Sequence, residues 1–258
     1  MRLEEINVLL VDDELDILEQ SKIILKEKDD RFVIHTSNNV DDALELIENK
    51  NIDVVVSDYR MPEKDGIEFL RILREKKDNE IPFILFTGKG WEEVAMKALN
   101  LGANKYIWKK EELNLYDRTE GEPIQQYDIL ANEIVDEVEK YENKKTMEIM
   151  RKTIEKAKDG IFWVTPEGKI LYGNQRVRNK LGYDQKEIQS LSISDIDPEF
   201  QEEKRENYWK KLKEKESRTF ETEHQAKDGT IFNVEINSNY VRHEDEELEF
   251  AFVRFIED

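Results

Sequence analysis

Cysteine is absent from the 258-residue chain, and its absence removes several classes of function at once. Without thiols the protein has no disulfide, no cysteine-ligated zinc site, no thiol nucleophile and no flavin–cysteine adduct. Long apolar runs are absent too, since the runs are strand-sized, whereas a membrane-crossing helix needs about 20 apolar residues. The acidic N-terminus is unlike a signal peptide. We therefore predict a soluble, cytoplasmic protein with no membrane partner.

Positive charge is also in short supply. Lysine and arginine number 40 against 60 aspartates and glutamates, which gives a formal net charge of −20. Proteins that bind nucleic acid gather positive charge on one face to meet the phosphates. We therefore expect no direct nucleic-acid partner, and we interpret most of the charge as a solvated surface.

Short apolar strands alternate with amphipathic helices over about the first 110 residues. Strands that are apolar along their whole length, separated by helices, are typical of a parallel sheet covered on both faces. The pattern predicts a doubly wound α/β domain with a five-stranded parallel sheet. The predicted strands cover residues 6–11, 32–34, 53–57, 82–86 and 106–108.

A helical region separates this domain from a second one. Its apolar positions up to residue 141 and from residue 147 onward are out of phase, so we predict a break near residues 143–146. Spacing at 127, 130, 134, 138 and 141 fits either a short coiled coil or a helix packed on its own domain.

The pattern changes again from residue 159, where short strands and helices precede an antiparallel meander. This order predicts an α+β domain with an antiparallel sheet. We divide the chain into a first domain at residues 1–126, a helical extension and linker at 127–158, and a second domain at 159–258.

Reactive side chains follow the predicted parallel strands where each strand ends. Asp12 and Asp13 follow the first strand, Asp58 the third, Thr87 ends the fourth and Lys109 follows the fifth. The carboxyl ends of parallel strands meet at one edge, where ligands bind in such sheets. Carboxylates suit Mg²⁺, and a carboxylate can attack a phosphoryl group whose oxygens are stabilised by a hydroxyl and an ammonium group.

At these positions the chain resembles the receiver domains of response regulators. The resemblance is carried by residues 11–14, 57–66, 87–88 and 102–109. It implies that Asp58 accepts a phosphoryl group from a sensor histidine kinase. It also implies that Asp13, Asp58 and the backbone carbonyl of Arg60 bind Mg²⁺, with Asp12 assisting.

The same resemblance assigns roles around the acceptor. Thr87 and Tyr106 would be the switch pair, and Lys109 would contact the phosphoryl oxygens. Arg60 and Lys89 occupy positions that tune dephosphorylation in the family. Receivers usually have proline after the site lysine, often with a cis peptide; this chain has Lys110, where we expect a trans peptide because a cis bond costs about 3–4 kcal/mol.

Three aromatic residues lie near the predicted switch region: Trp91, Tyr106 and Trp108. Two interpretations remain open. The aromatics form a docking face for a dimer or partner, or they pack locally against the helix that follows.

The second domain resembles a PAS domain, at residues 159–162, 166–170, 173–174, 181–183 and 227–230. PAS domains often hold a small molecule, but we predict no firmly bound cofactor here. The helix around residues 202–215 lacks a histidine for haem, and His224 and His243 are expected to be satisfied or exposed. We expect Trp163, Tyr172 and Trp209 to belong to the core.

Together the resemblances imply a response regulator that acts through protein–protein contacts and is an enzyme only toward its own phosphorylation and dephosphorylation. Mg²⁺ is the implied cofactor, and an unidentified output protein is the implied partner. A homodimer, a phosphorelay intermediate that passes the phosphoryl group to a second histidine protein, and a PAS-based small-molecule sensor remain as alternatives. A receiver joined to a PAS domain with no effector is a pattern associated with archaeal signalling.

Overall fold

The computed structural model describes residues 4–88, 92–109, 123–200 and 202–256. The chain divides into two compact units, Met1–Lys145 and Thr146–Asp258. Lys89, Trp91 and Lys110, for which the sequence made predictions, lie outside the described residues. No helix in the described part of the chain is long and apolar enough to cross a membrane.

The first unit is a five-stranded parallel sheet with helices on both faces, which confirms the predicted doubly wound fold. Its elements are β1 Ile6–Val11, α1 Leu15–Lys28, β2 Phe32–Ser37, α2 Val40–Asn49, β3 Val54–Ser57, α3 Gly66–Arg71 with a π-helical turn at Ile72–Lys76, β4 Phe83–Thr87, α4 Glu92–Asn100, β5 Lys105–Trp108 and the larger part of α5, a helix that spans Pro123–Glu155. The strand order is β2-β1-β3-β4-β5. The winding therefore reverses between β1 and β3, where such sheets bind ligands.

The central strands are buried on both faces, as their uninterrupted apolar sequences require. Two of the covering helices begin at side-chain caps: Asn39 accepts a hydrogen bond from the Asp42 amide, and Asp65 accepts one from the Glu68 amide. One apolar core includes α2, α3 and α4, and the other includes α1 and α5. These two cores fix the sheet and its C-terminal edge.

Helix α5 is continuous through residues 143–146, so the predicted break is wrong. Its first half packs on the sheet of the first unit. Of the two interpretations of the apolar spacing, this confirms the helix packed on its own domain rather than the coiled coil. The next apolar side chains, Met147, Ile149 and Met150, are exposed. The spacing of the apolar residues changes where the helix leaves this core. Beyond that point the exposed residues do not pack on the core, so nothing there requires them to continue the same apolar stripe. The packed side chains are Tyr127, Leu130, Ala131, Ile134 and Val138.

The second unit contains a five-stranded antiparallel sheet, as predicted. Its elements are β6 Gly160–Val164, β7 Ile170–Gly173, α6 Gln175–Leu181, α7 Gln185–Ile188, α8 Ile193–Ile196, α9 Glu202–Lys215, β8 Ser217–Gln225, β9 Ile231–His243 and β10 Glu246–Phe255. The strand order is β7-β6-β10-β9-β8, and the short helices cover one face. Alternate residues of β9 and β10 point into this core.

Asn174 connects the end of α5 to this second sheet. Its Nδ2 donates to the carbonyl oxygens of Ile154 and Asp159, at 3.0 and 3.1 Å. Its Oδ1 accepts from the amides of Ile161 and Val177, at 3.0 and 3.2 Å. One buried side chain therefore satisfies a carbonyl in the last turn of α5 and caps α6.

Candidate functional site

A buried ion pair joins the ends of β1 and β5. Lys109 Nζ lies 2.7 Å from Asp12 Oδ2, and both side chains are almost fully buried. The Glu14 amide donates to the other Asp12 oxygen at 3.0 Å. Lys109 also lies over the Phe86 ring, 5.5 Å from its centroid. The structure therefore brings together two of the predicted site residues, 97 positions apart in sequence.

Asp58 lies beside this pair at the end of β3. The Arg60 amide donates to Asp58 Oδ2 at 2.7 Å, and the Thr87 hydroxyl lies near enough to the carboxylate to favour its charged form. Burial is the main reason that the pKa of Asp58 is raised, and the negative charge of Asp12 raises it further. Lys109, Thr87 and the Arg60 amide act in the opposite direction without cancelling the shift.

The backbone at Asp58 is held by a close approach of α3. A Cβ on Gly66 would lie inside van der Waals distance of the Asp58 carbonyl oxygen. Ser57 Oγ donates to the same oxygen at 2.8 Å. Glycine is required at residue 66 because only a hydrogen leaves room for this approach.

Because the pKa of Asp58 is raised, ionisation of its carboxyl group lowers the stability of the folded state. At pH values between the pKa of Asp58 in the unfolded chain and its higher pKa in the folded protein, the folded protein binds more protons. The stabilisation that comes from this proton binding is therefore present at low pH and is lost as the pH rises through the pKa of the folded protein. We expect Asp58→Asn, which is never ionised, to raise the free energy of unfolding at neutral pH by roughly 0.5–2 kcal/mol. Calorimetry of the full chain at neutral pH and near pH 4 tests this, and an equal gain at both pH values would contradict it.

One predicted metal ligand, Asp13, stands apart from these contacts. Asp13 is exposed, and no group of three acidic or histidine side chains suited to a metal occurs among the described residues. Asp12 and Asp58 nevertheless supply two neighbouring carboxylates whose like charges favour a cation. Mg²⁺ commonly binds through one or two carboxylates and keeps several waters, so the donor set fits it without a third.

The predicted switch and docking aromatics have different surroundings. Tyr106 packs against the core that includes α3 and α4, so for this residue the predicted packing against α5 is wrong. Its hydroxyl is buried with no partner among the residues that the structure describes, and burial together with the charge of Asp58 raises its pKa. Trp108 is exposed. Trp91 lies outside the described residues.

His224 corrects the prediction for the second unit. It is buried on the inner face of β8, its Nδ1 has no partner among the described residues, and burial lowers its pKa to about 4. The sequence held the signal: Phe220, Thr222 and His224 alternate along one face of the strand. His243 is exposed at the end of β9, as predicted. Trp163 is also exposed, so its assignment to the core is wrong.

A polar cluster inside the second unit was not predicted from the sequence. Arg205 Nη2 lies 2.9 Å from Glu249 Oε2, off the hydrogen-bond direction, so this contact is mainly electrostatic. Tyr208 and Ser238 donate to Glu249 Oε1 at 2.6 and 2.7 Å. Arg205, Tyr208 and Glu249 line, together with His224, a cavity of about 30 Å³, enough for one water. Glu249 lies on the same inward face of β10 as Ala251, Val253 and Phe255, which the alternation of the sequence indicates; the sequence does not indicate its partner on α9.

Comparisons with known proteins divide the chain in the same way. Residues 8–118 match the response regulator receiver domain family, and residues 158–258 match the PAS domain family. The transcriptional regulatory protein YdfI of Bacillus subtilis is 30% identical over 102 residues, which are 40% of this chain and 47% of that protein. SrrA of Staphylococcus aureus, another transcriptional regulatory protein, is 36% identical over 102 residues, 40% of this chain and 41% of its own. The chain thus spans less than half the length of these curated relatives.

Solved structures resemble each part. The PAS domain of an HTR-like protein from Haloarcula marismortui is 27% identical, covering 46% of this chain and 98% of its own, with a TM-score of 0.44. A receiver domain from Clostridium thermocellum is 24% identical, covering 53% of this chain and 97% of its own, with a TM-score of 0.43. On the family matches, residues 8–118 of this chain belong to the response regulator receiver family and residues 158–258 to the PAS family.

Proposed function

We propose that this protein is a two-component response regulator in which Asp58 accepts a phosphoryl group from a sensor histidine kinase. Asp12, Asp58 and the nearby Asp13 would hold Mg²⁺, which supplies positive charge for the phosphoryl oxygens. Asp58 would attack phosphorus, and Lys109 and Thr87 would bind the transferred oxygens. Output would pass through the receiver switch face and the PAS domain to another protein.

One observation carries the proposal: the Asp12–Lys109 ion pair lies beside a half-buried aspartate that Thr87 also contacts. An acceptor carboxylate, an acid for the metal, a hydroxyl and a cation are the groups that phosphoryl transfer to an aspartate needs. The geometry supports the roles of Asp12, Asp58, Thr87 and Lys109 directly. For Asp13 and the Arg60 carbonyl, the proposal rests on the family resemblance.

The test is to incubate the full chain with Mg²⁺ and acetyl phosphate and to follow its intact mass. We expect one acid-stable, base-labile phosphoryl group on the wild type, and none on Asp58→Asn or after chelation of Mg²⁺. A wild type that stays unmodified, or a variant modified to the same extent, would sink the proposal. Light scattering of the same samples with beryllium fluoride tests the homodimer, for which the exposed Met147, Ile149 and Met150 are the candidate surface.

The two alternative functions differ in their support. No contact of the described residues favours onward transfer to a second histidine protein, so that hypothesis needs a transfer assay from phosphorylated Asp58. The PAS sensor is favoured by the unpartnered Nδ1 of His224 at a cavity. The cavity volume of about 30 Å³ lies far below the roughly 300 Å³ of ordinary small-molecule sites. A ligand that co-purifies with the chain would be needed to support it.

A further inference from the structure

A small cavity lies directly beneath the acceptor site. Its volume is about 20 Å³, and its polar lining comes from Asp12, Asp58 and Lys109 on the site side and from Ser21 of α1. A buried water needs about 10–15 Å³ and two to four polar partners. The cavity therefore has both the room and the partners for one water molecule.

Ser21 is held in place from the far side by α5. Its Oγ lies 2.8 Å from the hydroxyl of Tyr127, 106 residues later in the chain, and both side chains are buried. Burial is the main cause that raises the pKa of Tyr127, and the charge of Asp12 adds to it, so the phenol keeps its proton. The Tyr127 ring also packs on Phe86, with centroids 5.5 Å apart.

The direction of this hydrogen bond follows from the donors available. Ser21 is the only hydrogen-bond partner of the Tyr127 hydroxyl among the described residues. Either hydroxyl could donate, but only donation by the phenol to Ser21 Oγ gives the phenolic hydrogen an acceptor among these residues. With that direction, the hydrogen of the serine is left free to point elsewhere. The serine hydroxyl can then donate into the cavity, which is also lined by the carboxylates of Asp12 and Asp58.

We propose that Ser21, oriented by Tyr127, binds one water molecule in this cavity, and that this water hydrogen-bonds the Asp12 carboxylate. Ser21 and Tyr127 are then positioning residues for phosphoryl transfer, which makes the inference rest on the proposed function. Before transfer, Lys109 neutralises Asp12 directly. During transfer the ammonium group of Lys109 also stabilises phosphoryl oxygens, so its interaction with Asp12 weakens. The water then offsets part of the free-energy cost of this weaker pairing for the buried Asp12 carboxylate.

The test separates Mg²⁺ binding from the transfer step. We expect Ser21→Ala to lower the phosphorylation rate constant about tenfold at saturating Mg²⁺ and acetyl phosphate, because the water that hydrogen-bonds the Asp12 carboxylate then loses its bond to the serine hydroxyl. The Mg²⁺ dissociation constant should not change, because Lys109 still pairs with Asp12 in that state. Tyr127→Phe should give a smaller fall, since the serine hydroxyl remains but is no longer oriented.

Ser37→Ala is the matched control. Ser37 and Ser21 are both 6% exposed, and Ser37 Oγ donates to the Asn39 carbonyl at 2.8 Å away from this cavity. It should lose stability but keep its rate. An equal fall in both serine variants, or a Ser21→Ala rate within about twofold of wild type, overturns the inference. A wild type that is never phosphorylated sinks the proposed function instead, and a high-resolution crystal structure then decides, since an empty cavity contradicts the water site.

Discussion

Replacing Lys109 by methionine is expected to slow phosphorylation of Asp58 roughly 10²–10³-fold, the effect of removing one preorganised group that stabilises transition-state charge. Methionine keeps much of the length and the apolar contact with Phe86 while removing the ammonium group that lies 2.7 Å from Asp12. Two neighbouring carboxylates then face the incoming phosphoryl group without the lysine. The measurement is the rate of phosphorylation by acetyl phosphate in saturating Mg²⁺.

Lys105→Met provides the matched control for this experiment. Lys105 lies on the same strand, β5, but pairs with Glu133 at 2.9 Å rather than with the site. Its loss should leave the rate close to that of the wild type. A Lys109→Met rate within tenfold of wild type would contradict the assigned role, and an equal loss in both variants would point to damage of β5 instead.

Replacing Arg205 by methionine is expected to destabilise the PAS unit by roughly 3–5 kcal/mol, because it leaves a buried carboxylate without its cation. Arg205 and Glu249 are 6% and 5% exposed. The guanidinium also donates to the carbonyl oxygens of Thr165 and Pro166, so its loss frees the turn after β6 as well. Hydrogen exchange of the β6 and β10 amides in the full chain measures the change in that unit alone.

Helix α9 and strand β10, which carry Arg205 and Glu249, also supply a control. Lys213 of α9 pairs with Glu247 of β10 at the surface, and Lys213→Met should change little because exposed ion pairs contribute little. Arg205→Met combined with Glu249→Gln should recover part of the loss, since the double variant buries no unpaired charge. Exchange rates in Arg205→Met that match those of the surface variant would show that the buried pair does not stabilise the unit.

Helix α5 shows why a sequence pattern can fail across a change of environment. The step from apolar position 141 to 147 predicted a break, because an apolar stripe on one helix normally keeps one phase. The helix instead leaves the first core, exposes Met147 and Met150, and ends where Asn174 Nδ2 donates to the Ile154 carbonyl oxygen in its last turn. The phase of the apolar residues shows which surface a helix packs on. Whether the helix is continuous depends on its backbone hydrogen bonds, which the apolar pattern does not describe.

The sequence by itself determined the two sheets and the edge of the first sheet at which the candidate site lies. Strand and helix periods are local, and parallel strands bring Asp12, Asp58, Thr87 and Lys109 to one edge whatever the loops between them do. Tertiary structure alone decided which of these side chains pair, because contacts such as Lys109 with Asp12, Ser21 with Tyr127 and Arg205 with Glu249 join residues far apart in the chain. Such contacts depend on how helices and strands pack against one another. The spacing of apolar residues along a single helix or strand does not contain that information.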